Sequence, residues 1–194
     1  MQRDRLLERI ASRLADPPAR TLEPEERAPA AVLVPLFPDP PAGLSTLFTV
    51  RTTTVRDHKG QVSFPGGGRD AGDPDLLATA LRETGEELEI ARADVQILGR
   101  LDDLPTLTGY LIRPYVGYLR RRPKVRPNPV EIDRVLWAPL AALAAPEACR
   151  PRRVRSDGWS GESPGFEVDG EIVWGATARV LLNLLERVGP VLAP

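Results

Sequence analysis

The residues of this chain that are best suited to chemistry lie in one short stretch, where three glutamates follow an arginine at helical spacing. Residues 82–87 read Arg-Glu-Thr-Gly-Glu-Glu. At about 100° per residue, Glu83, Glu86 and Glu87 fall within an arc of roughly 100° on one face of a helix. No lysine lies nearby, so the three carboxylates repel one another unless a cation sits among them. Mg²⁺ and Mn²⁺ prefer oxygen ligands, so the spacing indicates a metal site, with a merely solvated face as the alternative.

The same helix has a second face that can pack on a sheet, and its start is marked in the sequence. The positions on that face are Leu77, Leu81, Thr84 and Leu88. Asp73-Pro74 is typical of an N-cap followed by proline at the first helical position, and Asp75 adds charge that the helix dipole favours. Upstream, residues 65–68 read Pro-Gly-Gly-Gly, which predicts a loop whose backbone can approach a metal or phosphate closely.

This arrangement of glycine, acid and acidic helix resembles the Nudix box. Gly67, Asp73 and Arg82 follow one another as in the box, and the Arg-Glu-x-x-Glu-Glu core is intact. The chain has one extra residue before Arg82 and an Asp where the box has a Glu. Thr84 and Glu89 stand where the box has an apolar residue and a glycine.

A segment upstream of the box is similar to the signature of coenzyme A pyrophosphatases. Residues 47–67 read LFTVRTTTVRDHKGQVSFPGG. The matching positions are Leu47, Thr49, Arg51, Arg56, Gly60, Phe64, Pro65, Gly66 and Gly67. The extra residue and the Asp at position 73 are common in that family, and residues 172–177 also resemble one of its features. The resemblance spans about residues 30–185.

The resemblance implies a metal-dependent enzyme with Mg²⁺ or Mn²⁺ as cofactor. Glu83, Glu86 and Glu87 would be both catalytic residues and metal ligands. Gly67 would add a backbone carbonyl to the metal. Arg82 would pair with an acid of the box and hold it in place. The general base stays open between these carboxylates and glutamates outside the box, which are Glu131, Glu162 and Glu167.

Arginines of the upstream signature are the candidates for binding a substrate phosphate. The guanidinium groups of Arg51 and Arg56 can each donate two parallel hydrogen bonds to phosphate. The glycines Gly66 and Gly67 complete the predicted substrate-binding set. Ordinary surface pairing is the alternative for the arginines, and His58, the single histidine, is more often a bystander than a base at such a position.

The leading hypothesis is hydrolysis of the pyrophosphate bond of coenzyme A to adenosine 3′,5′-bisphosphate and 4′-phosphopantetheine. A Nudix pyrophosphatase of ADP-ribose or another nucleoside-diphosphate sugar is the alternative. A nucleotide-binding regulator without catalysis is a third hypothesis, which the intact acidic core disfavours. The sequence does not distinguish free coenzyme A from its acylated or oxidised forms as the substrate. It also does not indicate which phosphorus is attacked, whether Mg²⁺ or Mn²⁺ is preferred, or the oligomeric state.

Length and composition predict one globular domain over residues 1–194. The chain has 194 residues, 42% of them hydrophobic and 27% charged, with a net charge of −1. This balance argues against nucleic acid as the main partner. No apolar run is long enough to span a membrane, so no membrane partner is expected. The single cysteine, Cys149, precludes an internal disulfide and favours a cytoplasmic location.

Hydrophobic periodicity predicts an α/β fold. We expect an N-terminal helix over residues 2–14 and a proline-rich approach up to residue 30. Strands are predicted at residues 30–37, 47–51, 61–64, 95–101, 110–120 and 132–137, with Pro114 indicating an edge or bulge. A hairpin is predicted around Asp169-Gly170 and a final helix over residues 176–188. Arginine clusters near residues 120–126 and 150–155 are predicted to be solvated loops, with phosphate binding as the alternative. The Nudix resemblance implies an α/β/α sandwich with a mixed sheet.

Overall fold

The fold is described from a computed structural model that covers residues 2–52, 60–156 and 159–192. Its helices are α1 (Gln2–Ala15), α2 (Leu76–Leu88), α3 (Leu140–Leu143) and α4 (Gly175–Leu192), with a 3₁₀ turn at Arg92–Asp94. Its strands are β1 (Ala28–Pro38), β2 (Leu44–Arg51), β3 (Val62–Ser63), β4 (Gly66–Gly68), β5 (Val95–Arg100), β6 (Leu104–Pro105), β7 (Tyr110–Leu119), β8 (Ile132–Pro139), β9 (Cys149–Ser156), β10 (Trp159–Val168) and β11 (Glu171–Trp174). In these ranges no helix is both long and apolar enough to cross a membrane.

A mixed sheet of eight strands forms the centre of the molecule. Its main path runs β3-β2-β1-β7-β5, with β4 paired to β1, β6 to β7 and β8 to β2. Strands β1 and β7 are parallel, and the other pairs are antiparallel. A separate three-stranded sheet contains β9, β10 and β11. The predicted α/β class with a mixed sheet and an N-terminal helix is confirmed.

Helices cover both faces of the mixed sheet, because successive side chains of a strand point to opposite faces. Val34 and Leu36 of β1 join a large apolar cluster with α1 and α4. Phe37, their neighbour on the same strand, joins a smaller cluster that contains Leu88 of α2. The acidic helix therefore packs on the face opposite α1 and α4, and its polar side remains available for a site.

Two adjacent aspartates fasten the proline-rich segment between α1 and β1 to the domain. The N–H of Arg20 donates to Asp102 Oδ1, and the N–H of Leu22 donates to Asp103 Oδ2, both at 2.9 Å. Arg113 donates from Nε and Nη2 to the two oxygens of Asp103 at 2.8 and 2.7 Å. We call this set of contacts the aspartate clamp.

The predicted start of the acidic helix is wrong by two residues. The N-cap is Asp75, whose carboxylate accepts a hydrogen bond from the N–H of Ala78 at 2.7 Å. Asp73 cannot take this role because its oxygens are occupied by Arg82, Thr79 and the N–H of Asp70.

The glycine run was predicted as a loop, and this is also wrong, because Gly66–Gly68 is the short strand β4. A Cβ atom at Gly66 would lie 2.3 Å from the carbonyl oxygen of Ala31. The strand can therefore approach β1 this closely only because Gly66 lacks a side chain.

Two further predictions fail and one is confirmed. The cluster at residues 150–155 lies on strand β9, which pairs with β10 along its length. Pro114 lies in an interior strand, opposite the gap between β5 and β6, so the predicted edge position is wrong, although the pairing of β7 with β5 has a register shift nearby, between Ile97 and Gly99. The hairpin is confirmed: Asp169 and Gly170 have positive φ values of 49° and 82°.

Candidate active site

The glycine strand β4 and the acidic helix α2 form one wall of the candidate site. A Cβ atom at Gly67 would lie 2.5–2.7 Å from the carboxylate atoms of Glu83. The N–H of Gly66 donates to Glu87 Oε2 at 3.3 Å. The absence of a side chain at Gly67 lets the backbone lie directly against the carboxylate of Glu83.

Glu87 is a buried carboxylate with one oxygen left without a hydrogen bond. The residue is only 2% exposed. Its Oε1 has no hydrogen-bond partner among the described residues, and Arg51 Nη1 lies 3.7 Å away. Burial raises the pKa of Glu87 to about 8, and Glu83 adds to this while Arg51 opposes it. This oxygen is an acceptor that a cation would satisfy.

Arg51, at the end of β2, lies between two carboxylates. Besides the contact with Glu87, its Nη2 lies 3.8 Å from Glu131 Oε2. Its Nε is buried and has no hydrogen-bond partner within the described ranges. Burial raises the pKa of Glu83, and the negative charge of Glu131 contributes to the raised pKa of both Glu83 and Glu87. Glu131 therefore belongs to the same electrostatic neighbourhood.

Arg82 fastens the turn between β4 and α2. Its Nε and Nη2 donate to the two oxygens of Asp73, both at 3.0 Å, and Nη2 also donates to the carbonyl of Gly68 at 3.2 Å. This pairing holds the pKa of Asp73 far below its usual range. Thr79 Oγ1 donates to the same carboxylate at 2.9 Å. Arg82 is thus fixed by neighbours within the box.

The other end of the Arg82 guanidinium contacts two of the three helix glutamates. Its Nη1 donates to Glu86 Oε2 at 2.9 Å and lies 3.0 Å from Glu83 Oε1. The Glu86 side chain is 56% exposed. Glu83 and Glu87 therefore form the inner pair of the acidic face, and Glu86 lies at its rim.

The donor set fits a hard divalent cation at the inner pair. In the part of the chain that the structure describes, no three histidine, cysteine or acidic side chains already converge in a metal-holding arrangement. Glu87 nevertheless offers a desolvated oxygen without a hydrogen bond, and Glu83 lies directly against the backbone of Gly67, which has no side chain to displace it. Glu86 fits less well because its side chain is 56% exposed and lies at the rim.

The structure brings together seven of the predicted site residues. Gly66, Gly67, Glu83, Glu87 and Arg51 lie in one neighbourhood, and Arg82 and Glu86 contact it at the rim. Arg56 and His58 lie outside the described residues. Two of the three open candidates for the base, Glu162 and Glu167, are on β10 in the separate sheet.

Comparison with known proteins identifies the class. Residues 26–156 match the NUDIX domain family, so the chain belongs to the Nudix family. It is 36% identical over 172 residues to a protein described as "Uncharacterized Nudix hydrolase NudL" from Photorhabdus laumondii, covering 89% of this chain and 90% of that protein. A Salmonella typhimurium protein of the same description is 35% identical over 172 residues, covering 89% of this chain and 88% of its own.

Two solved structures share the fold at low sequence identity. A MutT/nudix family protein from Enterococcus faecalis has a TM-score of 0.56 and 15% identity, covering 88% of this chain and 65% of that one. A Deinococcus radiodurans protein has a TM-score of 0.53 and 17% identity, covering 81% and 82%. The family assignment makes this chain a hydrolase of phosphorus anhydrides, a class that generally uses divalent cations such as Mg²⁺ or Mn²⁺.

Proposed function

We propose that this Nudix hydrolase cleaves the pyrophosphate bond of coenzyme A and of its derivatives, giving adenosine 3′,5′-bisphosphate and 4′-phosphopantetheine. The observation that carries the proposal is the position of the upstream signature. Arg51, in the first part of the signature, lies 3.7 Å from Glu87, and Gly66 and Gly67, at its end, lie against Glu87 and Glu83. A signature similar to that of coenzyme A pyrophosphatases thus borders the carboxylates.

The proposed metal site lies on the acidic helix. Glu83 and Glu87 are the principal ligands of Mg²⁺ or Mn²⁺, with Glu86 and the carbonyl of Gly67 as further ligands. A bound cation supplies charge neutralisation for the pyrophosphate and lowers the pKa of a bound water. The N–H of Gly66 donates to one oxygen of Glu87, which would leave the other available to a cation.

Arg82 is proposed to orient the site rather than to bind substrate. Four of its contacts are to groups of the box, which are Asp73, Gly68, Glu83 and Glu86. A guanidinium with so many partners has no free donor face for a phosphate. Its task is to fix the acidic helix relative to the glycine strand.

Arg51 and Arg56 are proposed to bind substrate phosphate. Arg51 is 24% exposed and makes no hydrogen bond to either of its neighbouring carboxylates. Its donors are therefore available to an anion at the edge of the site. Coenzyme A differs from most adenosine diphosphate derivatives by its 3′-phosphate, which needs a cationic partner of this kind.

A substrate panel tests the proposal. Coenzyme A, dephospho-coenzyme A and ADP-ribose are offered with Mg²⁺ and with Mn²⁺, and products are identified by mass spectrometry. An arginine–phosphate contact contributes about 1.5–3 kcal/mol, so we expect kcat/KM for coenzyme A to exceed that for dephospho-coenzyme A by roughly ten- to hundredfold. Arg51→Ala should narrow this gap by reducing activity on coenzyme A selectively. Arg179→Ala, an exposed arginine on α4, is the matched control.

Three other outcomes of the substrate panel would contradict the proposal. Equal specificity constants for coenzyme A and dephospho-coenzyme A would remove the 3′-phosphate site. A clear preference for ADP-ribose would make the protein a nucleoside-diphosphate sugar pyrophosphatase instead. No cleavage of any compound with either cation would favour a binding role.

A further inference from the structure

We infer that Glu131 is a positioning residue, which keeps the guanidinium of Arg51 at the edge of the site while a cation occupies Glu87. The inference rests on the proposed function in one respect, the binding of a diphosphate by Arg51. It assigns a task to a glutamate that lies outside the acidic helix.

The first observation is that Arg51 is shared almost equally between two carboxylates. Its Nη1 lies 3.7 Å from Glu87 Oε1, and its Nη2 lies 3.8 Å from Glu131 Oε2. Neither contact is short enough to be a hydrogen bond. A guanidinium held by charge alone between two acids can shift toward either one when the charge on the other changes.

The second observation is that the two acids differ in burial. Glu87 is 2% exposed, whereas the Glu131 side chain is 41% exposed. A divalent cation at the buried acid would replace the attraction between Glu87 and Arg51 with repulsion between two positive groups. The repulsion would act in a poorly hydrated setting, where it is stronger than in water. Glu131 then remains as the described carboxylate nearest to Arg51.

The third observation is that the backbone fixes Glu131 relative to both partners. The N–H of Thr52, next to Arg51, donates to the carbonyl of Glu131 at 2.8 Å, and Thr52 Oγ1 donates to the carbonyl of Val130 at 3.1 Å. The N–H of Asn128 donates to the carbonyl of Glu87 at 2.9 Å. The loop at residues 128–131 therefore joins the end of β2 to the end of the acidic helix.

A substrate diphosphate would meet Arg51 in this arrangement. With Glu131 present, the guanidinium stays beside the cation and can donate to a phosphate oxygen. Without the negative charge, Arg51 is free to turn away into solvent, and holding it for the substrate costs side-chain entropy. The effect should therefore appear in substrate binding.

The test compares Glu131→Gln with the unmodified protein in three measurements. These are kcat and KM for the substrate that the panel identifies, the dissociation constant of Mn²⁺ by electron paramagnetic resonance, and calorimetric binding of methylene diphosphonate in the presence of Ca²⁺. We expect KM and the diphosphonate dissociation constant to rise about tenfold, with kcat and Mn²⁺ affinity within about twofold. Glu131→Asp, which keeps the charge, should recover part of the loss, and Glu186→Gln on α4 should change nothing.

A double variant helps to distinguish a positioning role for Glu131 from the roles of metal ligand and general base. If Glu131 acts through Arg51, then Glu131→Gln should have no further effect on diphosphonate binding once Arg51 is Ala. Mn²⁺ affinity weakened tenfold would make Glu131 a metal ligand, and a fall in kcat alone would make it the base. Either result, additive effects in the double variant, or no change at all would overturn the inference. If coenzyme A is not the substrate, the panel shows it, while the coupling between residues 51 and 131 is still measured with diphosphonate.

Discussion

Two buried carboxylates, Asp103 in the aspartate clamp and Glu87 on the acidic helix, are opposite in character. They are 1% and 2% exposed. Burial acts to raise the pKa of each. At Asp103, hydrogen bonds from Arg113 and the N–H of Leu22 outweigh burial and lower the pKa. At Glu87, a single backbone N–H and a distant Arg51 do not outweigh it.

Comparing Asp103 with Glu87 shows that burial alone does not determine whether a carboxylate stabilises the fold or is left ready to bind a cation. Asp103 has its two oxygens matched by a guanidinium fork, so its charge stabilises the chain. Glu87 has one oxygen unmatched, so its charge destabilises the ligand-free fold and becomes favourable only when a cation arrives. Four experiments test this difference, from the largest expected effect to the smallest.

Removing the charge from the inner pair should abolish most activity. Glu83→Gln and Glu87→Gln should each lower turnover by two to three orders of magnitude, about 2.7–4 kcal/mol, because the cation that stabilises the transition state is lost. Steady-state rates with Mg²⁺ and Mn²⁺, and circular dichroism for the fold, check this. Glu186→Gln is the control. Full activity in either variant, or in excess chelator, would contradict the assignment.

Removing the charge from the clamp should instead affect stability. Asp103→Asn should lower the free energy of unfolding by about 2–3 kcal/mol, because the partly buried Arg113 loses its negatively charged partner. Urea unfolding measures the loss, and kcat of the folded protein should not change. Asp102→Asn, whose carboxylate is more exposed, should cost less. An equal loss in both variants would show that burial of Asp103 is not the cause.

The metal-free protein should become less stable as pH rises. Because the pKa of Glu87 is raised to about 8 in the folded state, the folded protein binds more protons than the unfolded chain above the ordinary glutamate value. Stability should therefore fall between about pH 4.5 and pH 8. Glu87→Gln should reduce this slope and make the protein more stable at pH 8 by about 2 kcal/mol. Urea unfolding in chelator at pH 5 and pH 8 measures it, and identical slopes would be the contrary result.

Removing Arg82 should lower turnover without a large change in substrate affinity. Arg82→Ala releases Asp73 and the turn before α2, and we expect turnover to fall roughly tenfold, about 1.4 kcal/mol. Calorimetry with the substrate and Ca²⁺ separates affinity from turnover. A large loss of affinity with normal turnover would show that Arg82 contacts the substrate. Arg179→Ala is again the control.

The elements that sequence analysis predicted well depend on local pattern. The acidic face of α2 follows from the spacing of Glu83, Glu86 and Glu87, and the hairpin turn follows from Asp169-Gly170. Each pattern spans only a few residues, so helix periodicity and the preferences of turn residues are enough to predict the local structure.

What the sequence did not predict depends on distant partners. The burial of Asp103 does not follow from local pattern, because Leu22 and Arg113, which donate its shortest hydrogen bonds, are distant in sequence. Glu131 was one of three open glutamates, and only the pairing of its loop with Thr52 brings it beside Arg51. The N-cap was assigned to Asp73 because no local rule shows that Arg82, nine residues later, occupies that carboxylate.

The parallel pairing of β1 with β7 also constrains how the chain folds. It joins Ala28 with Tyr110, which are 82 residues apart in sequence, whereas the glycine strand and the acidic helix follow β1 closely. The chain must lose the entropy of closing this long loop before the stabilising contacts between β1 and β7 can form, which slows folding. During synthesis, β1, the glycine strand and the acidic helix leave the ribosome before β7. The edge of β1 that pairs with β7 then stays without its partner strand for seconds, at the usual rate of translation, and an unpaired strand edge of this kind is prone to aggregation.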